Sequence, residues 1–351
     1  MNVSRFGLKI RAVRTMNTGL PHKLRTAQEP RQNMLYKVRL SSITQANPTV
    51  RLLRLAIGRN PTECESNHGQ SRPFHFLPGQ WLDVHVPSVP QAGGFTITST
   101  PSDALPPVRD SSNNEATAEP YIELAVQESP SNPPAAWLWR PGDEILGQEL
   151  AVRVGGSFIW PPHDVLLEAI GRVVFVAGGV GINPLISMIS HIFKNPSHLP
   201  HSPAIHLLYS TRLPTTPKAG EDISKHLDQI LFFPRLRSIL DSQRPDHHTN
   251  REEPSLRLHF HLYITNLHGM PHSPPTDFTL HNRRIQMPDL HDVFGGKRDV
   301  VPDGYSSKDP GRTVCYICGP PDMTDEFVAG AEEVIGAGVG RKKSVFCEKW
   351  W

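Results

Sequence analysis

The sequence predicts an α+β chain of two domains, an N-terminal antiparallel β-barrel followed by a C-terminal doubly wound α/β domain. Length is the first observation, because a chain of 351 residues exceeds the size at which a single core usually stops growing. The second is a change of hydrophobic period, from strand-like alternation over residues 33–160 to alternating strand and helix patterns beyond residue 171. We therefore expect a basic segment at 1–32, a barrel at 33–165 and an α/β domain at 166–351.

Six segments of the barrel region alternate in the manner of strands. They read LYKVRLSSI, VRLLRLAI, WLDVHVP, FTITS, YIELAVQE and EILGQELAVRV, and Gly, Pro and Asn clusters separate them. Such a series of short strands indicates a small antiparallel barrel or sandwich.

Beyond residue 171 the strand VVFVA, the helix PLISMISHIF and the strand IHLLYSTR form a βαβ unit, which implies a parallel sheet. A helix over 223–231, a strand at RLHFHLYIT, and the strand VCYICGP followed by the helix DEFVAGAEEVI extend this pattern. Polar stretches at 241–254, 268–277 and 295–312 are expected to be surface insertions.

Composition excludes several classes of protein. Hydrophobic residues make up 38% and charged residues 20% of the chain, which is typical of a globular protein, and no apolar run reaches the roughly 20 residues that span a bilayer. The net charge is only +2, without a basic stripe interleaved with aromatics, so we expect no nucleic-acid partner. Cys315 and Cys318 form a CxxC on a strand pattern and point to opposite faces, so no metal site is predicted.

The first 27 residues contain six Lys and Arg residues and no acidic residue. Val3, Phe6, Ile10 and Val13 fall on one side of a helix, which gives the basic amphipathic character of a mitochondrial presequence. The alternative is a disordered basic tail. We expect a mitochondrial location, with a cytoplasmic one as the alternative.

The segment VVFVAGGVGINPLISMI is the strongest local signal. An apolar strand leads into glycines and then a helix, so backbone N–H groups and the positive helix end are available to a pyrophosphate. Asn183 is the predicted N-cap and Pro184 suits the first turn. The alternative is a glycine turn that merely connects strand and helix. The predicted dinucleotide-binding residues are Gly178, Gly179, Val180, Gly181, Ile182, Asn183 and Pro184.

A barrel followed by GGVGINP, CGPPDM and a terminal Glu with aromatics resembles the ferredoxin–NADP reductase superfamily over about residues 33–351. PPAAWLW, LAVRVGGSF and the closing EKWW are most similar to the oxidoreductase NAD-binding domain-containing protein 1 group. The resemblance implies a barrel that holds FAD and an α/β domain that holds NAD(P)H.

The resemblance aligns GGFTITSTP with the superfamily's Arg-x-Tyr-Ser flavin motif. It implies that Phe95 packs on the flavin and that Thr96, with the backbone of Ile97 and Thr98, meets the ribityl chain and ring edge. Two departures weaken this match: Gly93 stands where an arginine would pair with the pyrophosphate of FAD, and Phe95 lacks the tyrosine hydroxyl. The alternative is an ordinary alternating strand.

A second flavin segment aligns with residues 132–138, where Ala135 replaces a hydroxyl residue. Two prolines precede it, so the N–H groups of Ala135, Ala136 and Trp137 are expected to be left for phosphate. Trp137 is equally consistent with a plain core position.

CYICGPPDM supplies the opposite wall in the resemblance. Cys318 lies at the carboxyl end of a strand beside the nicotinamide, Gly319 and Pro320 form the turn, and Met323 begins the next helix. A simple buried thiol is the alternative for Cys318.

Tyr209, Ser210 and Arg212 follow at the end of a second strand, where the adenosine ribose would be recognised. No acidic residue is present there, and Arg212 suits a 2′-phosphate. The pattern favours NADPH and leaves NADH open.

The chain ends VFCEKWW. The resemblance implies that Glu348 is a polar neighbour of the reacting flavin edge and that Trp350 or Trp351 covers the ring, moving aside when nicotinamide enters. The alternative is that both indoles seal the interface between the domains.

We therefore expect a flavin-dependent oxidoreductase in which hydride passes from NAD(P)H to FAD and electrons then reach an unidentified, separate acceptor. The cofactors supply the chemistry and the protein holds them in position. One alternative is a non-catalytic cofactor-binding or redox-sensing module of the same fold, which Gly93 and Ala135 favour. Another is a flavin-free dehydrogenase, which would need a Tyr–Lys or His–acid pair that the glycine-loop region lacks.

Overall fold

The computed structural model describes residues 21–58, 73–106, 119–199, 201–215, 217, 223–244, 256–267, 275–295, 312–335 and 343–349. In chain order the strands are β1 (Tyr36–Asn47), β2 (Val50–Ile57), β3 (Trp81–His85), β4 (Gly93–Thr96), β5 (Tyr121–Gln127), β6 (Glu149–Gly155), β7 (Ile170–Gly178), β8 (Ala204–Thr211), β9 (Leu258–Ile264), β10 (Thr279–His281), β11 (Arg312–Gly319) and β12 (Val345–Lys349). The helices are α1 (His22–Arg25), α2 (Pro133–Leu138), α3 (Gly142–Ile145), α4 (Ile182–Lys194), α5 (Ser224–Leu227), α6 (Phe233–Ser242), α7 (Met287–Gly295) and α8 (Pro321–Ile335).

The first six strands form one antiparallel sheet in the order β4-β3-β6-β1-β2-β5. Its two edge strands approach each other, because Ile97 just beyond β4 makes an antiparallel bridge to Leu124 of β5. The amide of Thr98 then donates to the carbonyl of Glu123 at 2.8 Å. Alternating apolar residues fill the interior, which confirms the predicted antiparallel N-terminal domain.

The last six strands form a parallel sheet in the order β10-β9-β8-β7-β11-β12. Helices α4 and α6 pack on one face of this sheet, and α7 and α8 pack on the other. Because parallel strands are connected by crossovers, both faces are covered and the central strands are almost entirely apolar. The predicted doubly wound α/β domain is confirmed.

The helix predicted over 223–231 is shorter than expected. Only α5 forms there, and a longer helix, α6, follows it. The chain breaks at Phe232, whose φ of 63° lies in the left-handed region, and Pro234 then occupies the first turn of the new helix. The apolar spacing indicated helical residues correctly, but it did not locate this break.

Other boundaries also differ from the sequence prediction. The segment EILGQELAVRV was assigned to one strand, whereas its start belongs to α3 and a turn at Gly147, with a φ of +84°, precedes β6. Strand β10 and helix α7 were not predicted. The three residues of β10 are too few to show alternation. The predicted polar insertions lie largely outside the described residues.

The two cysteines of the CxxC pattern lie on opposite faces of the second sheet, as alternation requires. Cys315 packs in the cluster that faces α7 and α8, and Cys318 packs in the cluster that faces α4. Within the described part of the chain, no group of three or more His, Cys, Asp or Glu residues has an arrangement that could hold a metal ion. None of the helices described is long and apolar enough to cross a membrane.

A row of histidines crosses the face of the second sheet. The ring of His206 on β8 stacks on that of His259 on β9 at 4.7 Å, and His261 stacks on His281 of β10 at 5.9 Å. Both ring nitrogens of His206 are buried without a hydrogen-bond partner among the described residues. Burial, followed by the nearby His259, Arg172 and His261, lowers the pKa of His206 to about 3.

The neutral form of His206 makes the fold sensitive to acid. Because the pKa is about 6.5 in the unfolded chain and about 3 in the folded one, the unfolded state binds the proton preferentially below pH 6.5. We expect the free energy of unfolding to fall by about 2 kcal/mol between pH 7 and pH 5 on account of this residue alone. Denaturant unfolding at both pH values measures this effect. In His206→Leu, the fall in the free energy of unfolding from pH 7 to pH 5 should be smaller than in the native chain by that amount.

His163→Leu, at an exposed histidine, is the matched control and should keep the pH dependence of the native chain. An unchanged difference between pH 7 and pH 5 in His206→Leu would contradict the assignment.

Candidate functional site

The segment between the two sheets is packed on the second sheet. Strand β6 ends at Gly155 and β7 begins at Ile170. The hydroxyl of Tyr316 on β11 donates to the carbonyl of Ile159 at 2.9 Å, and the ring of Phe158 lies edge-on to Tyr316 at 5.5 Å. The connection therefore belongs to the interface between the domains.

A buried ion pair joins the two domains directly. Glu123 of β5 is 4% exposed, and Arg235 of α6 donates to its carboxylate at 2.5 Å. The same guanidinium donates to the carbonyl of Thr98 at 2.9 Å, while the hydroxyl of Thr98 donates to Glu123 at 2.9 Å. Helix α6 is thus attached where β4 and β5 approach each other.

Helix α4 makes two further hydrogen bonds across the interface between the two domains, which is called the seam below. The hydroxyl of Ser187 donates to the carbonyl of Ser99 at 2.7 Å, and the amide of Asn183 donates to the carbonyl of Ala125 at 3.3 Å. The glycine loop that precedes α4 is therefore held against the barrel, beside the strand that contains the predicted flavin motif.

Asn183 does not cap α4. The helix begins at Ile182, its N-cap is Gly181, and no side chain caps it. The amide group of Asn183 is engaged by Ala125 instead, so its short polar side chain serves the interface between the domains. The predicted cap is wrong for that reason, while Pro184 does lie in the first turn as expected.

The glycine loop needs its missing side chains. Gly179 has a φ of +55° and is exposed, and nothing lies within 4 Å of the place where a Cβ would stand. A Cβ on Gly181 would overlap the carbonyl of Cys318. One on Gly178 would lie 2.6 Å from the sulfur of Met323 and 2.9 Å from Pro320. The loop is thus open on one side and closely packed on the other.

These contacts unite the two motifs of the second domain. The Cβ position of Gly319 lies 3.2 Å from Gly178. Cys318 pairs with Ala177 of β7 on one side and with Glu348 of β12 on the other. Because all of these strands are parallel, their carboxyl ends meet at one edge of the sheet, which is where doubly wound sheets bind ligands.

The predicted adenosine residues divide between this edge and the core. Ser210 pairs with Gly178 at the end of β8, and Arg212 just beyond it is exposed. Tyr209 is 1% exposed, and burial raises the pKa of its hydroxyl. Ser210 and Arg212 are therefore accessible to a nucleotide, whereas the ring of Tyr209 supports the sheet from beneath.

The other predicted residues at this edge of the second sheet also differ in exposure. Cys318 is fully buried, so its sulfur lies in the core, whereas Pro320 is exposed and Met323 is half-buried. Glu348 is half-buried and by alternation shares the face of Phe346, which stacks on the ring of Tyr316. Trp350 and Trp351 lie outside the described residues.

In the barrel, the ring of Phe95 faces inward. It is 8% exposed and packs in the barrel core with Ala135 and Trp137. A Cβ on Gly93 would lie 2.5 Å from this ring and 2.7 Å from Pro134. The space in which a longer side chain at position 93 would begin is therefore filled, and Phe95 would have to turn outward to stack on a flavin.

The second flavin segment offers fewer donors than predicted. Helix α2 is six residues long and begins with two prolines. The amide of Ala136 donates to the carbonyl of Asn132 at 2.8 Å, so that N–H is not available to a phosphate as expected. Ala135 is 2% and Trp137 8% exposed, which are core positions.

Thr96 is the polar residue of the flavin motif that is left unsatisfied. It is 1% exposed, and its hydroxyl has no hydrogen-bond partner among the described residues. Ile97 is in the core, and the hydroxyl of Thr98 is bound to Glu123. Because buried hydroxyls are normally paired, Thr96 fits the polar edge of a bound ring. Thr96 thus leaves one buried polar group unpaired among the described residues, and Gly93 supplies no cation for a pyrophosphate.

Sequence reasoning missed the residues that hold the seam together. Glu123 lies on the face of β5 opposite the barrel core, because Ile122 and Leu124 face that core, and an acidic residue is ordinary on such a face of the strand YIELAVQ. No signal in the sequence marks Arg235 either, because an arginine on a helix is ordinary.

No family model matches the chain. The Oxidoreductase NAD-binding domain-containing protein 1 of Danio rerio is 29% identical over 334 residues, which span 94% of this chain and 97% of that protein. The CS-b5R domains of human Ncb5or (NAD+ form) match with a TM-score of 0.56 at 14% identity, over 90% of this chain and 70% of that one. A ferredoxin NADP+ reductase from Neisseria gonorrhoeae with bound FAD and NADP matches with a TM-score of 0.53 at 13% identity. The match covers 91% of this chain and 99% of that one.

The antiparallel sheet, the parallel sheet and the seam between them define a two-domain fold of the ferredoxin–NADP reductase type. Within that class, the chain is similar over most of its length to proteins named Oxidoreductase NAD-binding domain-containing protein 1, which confirms the resemblance predicted from the sequence. These relatives carry the name of an oxidoreductase.

The ion pair at the seam predicts a specific loss of stability. Arg235→Met would leave the buried carboxylate of Glu123 with the hydroxyl of Thr98 and, as its charged partner among the described residues, the more distant Arg54 at 3.9 Å. We expect the free energy of unfolding to fall by about 2 kcal/mol, because an ionised group would lose its charged donor. Denaturant unfolding measures the change.

Arg237→Met is the matched control, since Arg237 lies on the same helix and pairs with the exposed Asp228. It should cost less than about 1 kcal/mol. Equal losses in the two variants would contradict a special role for Arg235.

Proposed function

We propose that this protein is an NAD(P)H-dependent flavin oxidoreductase that passes electrons to a separate acceptor. The observation that supports this most is the attachment of α4, just after the glycine loop, to the barrel by Asn183 and Ser187, with the acceptor Ser99 three residues beyond Thr96 in the chain. A nucleotide on that loop and a ring at Thr96 would share one seam. The reductase names of the structural neighbours agree with this function.

In this proposal NAD(P)H is held by the loop from Gly178 to Pro184 and by the turn of Gly319 and Pro320. The open side of Gly179 admits the phosphates, and the start of α4 presents its positive end to them. Met323, packed under Gly178, supports the loop from behind. The residues around the turn therefore bind and orient the nucleotide.

Bound FAD would supply the hydride acceptor and then the electrons for the next protein. Thr96 would donate a hydrogen bond to the polar edge of the ring, and Glu348 would be its polar neighbour on the side of the second domain. Cys318 acts as a positioning residue, because its carbonyl meets Gly181 while its sulfur remains in the core. Positioning of this kind accounts for catalysis without an acid–base pair.

Thr96→Val tests the proposal. Because the buried hydroxyl has no partner among the described residues, its removal should leave the free energy of unfolding unchanged or slightly higher, yet weaken flavin affinity about tenfold. Flavin binding is followed by quenching of flavin fluorescence. In the native protein, the visible flavin bands should bleach on anaerobic addition of NADPH.

Thr98→Val is the matched control, because that hydroxyl is bound to Glu123. It should destabilise the fold by about 1 kcal/mol. Equal flavin affinity in Thr96→Val and the native protein would remove Thr96 from the site.

Arg212 predicts the choice between the two nicotinamide cofactors. Its exposed guanidinium at the end of β8 suits a 2′-phosphate, and a charge-assisted hydrogen bond of that kind is worth about 1.5–3 kcal/mol. Arg212→Gln should raise the dissociation constant for NADPH about tenfold or more and leave that for NADH unchanged. Equilibrium titration with each cofactor measures both constants.

Arg284→Gln, at an exposed arginine elsewhere in the same domain, should alter neither constant. An equal loss of affinity for NADPH and NADH in Arg212→Gln would exclude recognition of the 2′-phosphate.

A non-catalytic cofactor-binding module is the second candidate. The packing of Phe95 on Gly93 and Pro134 favours it, because the ring fills the space beside the flavin strand. A purified protein that is colourless, takes up no FAD on reconstitution and still binds NADPH would support this candidate over the reductase.

We further propose a mitochondrial location, on the strength of the basic amphipathic residues at the N-terminus. Import of a fluorescent protein fused after the first 32 residues tests it. A cytoplasmic distribution of the fusion would reject the proposal.

A further inference from the structure

The chain that precedes the barrel is built into it. Residues 21–32, here called the N-terminal arm, contain α1 and end in a bridge between Arg31 and Gly155 of β6. The amide of Gly156 donates to the carbonyl of Pro30 at 2.9 Å, and the amide of Gln32 donates to Val154 at 2.9 Å. The arm therefore continues the hydrogen bonding of the first sheet.

A buried carboxylate in the barrel binds the arm. Asp83 on β3 is 1% exposed, and three basic side chains surround it. Arg153 of β6 lies at 2.7 Å, Arg31 at 3.0 Å and His22 at 3.2 Å. Two of these three partners belong to the arm.

The same arm residues fill a site shaped by the barrel. Trp81 is 2% exposed, the ring of His22 lies edge-on to it at 4.6 Å, and the guanidinium of Arg31 lies over it at 4.8 Å. A Cβ on Gly94 would overlap the ring of His22, so the glycine on β4 makes room for it. The arm thus packs against β4, the strand of the flavin motif.

A second polar contact fixes the middle of the arm. The carboxylate of Glu29 accepts from the hydroxyl of Ser157 at 2.7 Å and from its amide at 3.1 Å. Arg31 also donates to the carbonyl of Thr26 at 2.6 Å, which holds the arm in its folded shape.

Charge pairing with Asp83 makes the stability of the barrel depend on the arm. Burial by itself raises the pKa of Asp83, but the close contact with His22 and the hydrogen bonds from Arg153 and Arg31 outweigh it and hold that pKa below its usual range. Without the arm, the buried carboxylate would keep only Arg153 of these three partners. Such a loss is costly, because an ionised group in the interior depends on its partners.

We propose that the N-terminal arm is a permanent part of the mature barrel, so that any proteolytic processing of the basic N-terminal segment leaves His22 in place. Removal of all 27 residues that have the character of a presequence would take His22 and Thr26 from their contacts. The proposal does not depend on flavin or nucleotide binding.

The N-terminus of the protein isolated from its native cells tests the proposal directly. Mass spectrometry of the intact chain and of its first peptide should find a first residue at or before His22, whether or not processing has occurred. A first residue after His22 would overturn the proposal.

Asp83→Asn in the full chain tests the physical basis. We expect the melting temperature to fall by roughly 5–10 °C, because the variant leaves the cations of the arm without their carboxylate. We also expect trypsin to cut the arm at Lys23 and Arg25 at least tenfold faster, as the arm detaches more often. Native melting temperature and native cleavage rate in this variant would overturn the proposal.

Glu119→Gln is the matched control, because it removes the exposed pair with Arg39 on the same barrel and should change neither measurement. Glu29→Gln serves if Asp83→Asn does not fold. It removes the charge from the contact with Ser157 and should accelerate cleavage of the arm with a smaller change in melting temperature. An unchanged cleavage rate would count against the proposal.

Discussion

The buried pair of Glu123 and Arg235 is the interaction on which the arrangement of the two domains depends. It lies where the edge strands of the first sheet approach each other, and Arg235 also binds a carbonyl of the chain beyond β4. Because a buried carboxylate is unfavourable without its partner, the barrel and α6 are coupled in one particular relative position. The seam that would hold two cofactor rings is set by this contact.

On the α/β side of the seam, two backbone segments approach each other closely. Gly178, Gly181 and Gly319 have no side chains, so the loop after β7 and the turn after β11 come into direct contact. Parallel strand pairing then brings the ends of β8 and β12 to the same edge. The shape of this edge thus follows from strand topology and from the absence of side chains at these glycines.

The sequence predicted those features that are encoded locally. Strand alternation, the helix after the glycine loop and the opposite orientations of Cys315 and Cys318 all follow from the period of the chain. The sequence could not predict the break at Phe232 or the role of Asn183, because both depend on residues far away in the chain. For the same reason Asp83 and Glu123 appeared as ordinary strand residues, although each is a buried charge whose partners come from a separate segment.

The residues of the seam also differ in how well they would tolerate substitution. Three of the bonds across it end on main-chain carbonyls of the barrel, those of Thr98, Ser99 and Ala125, which any residue would provide, and their donors are the side chains of Arg235, Ser187 and Asn183. Substitution of the barrel residues at these three bonds leaves the acceptors intact as long as the strand path is kept. The three donors, like the carboxylate of Glu123, are replaceable only by groups of similar length and polarity.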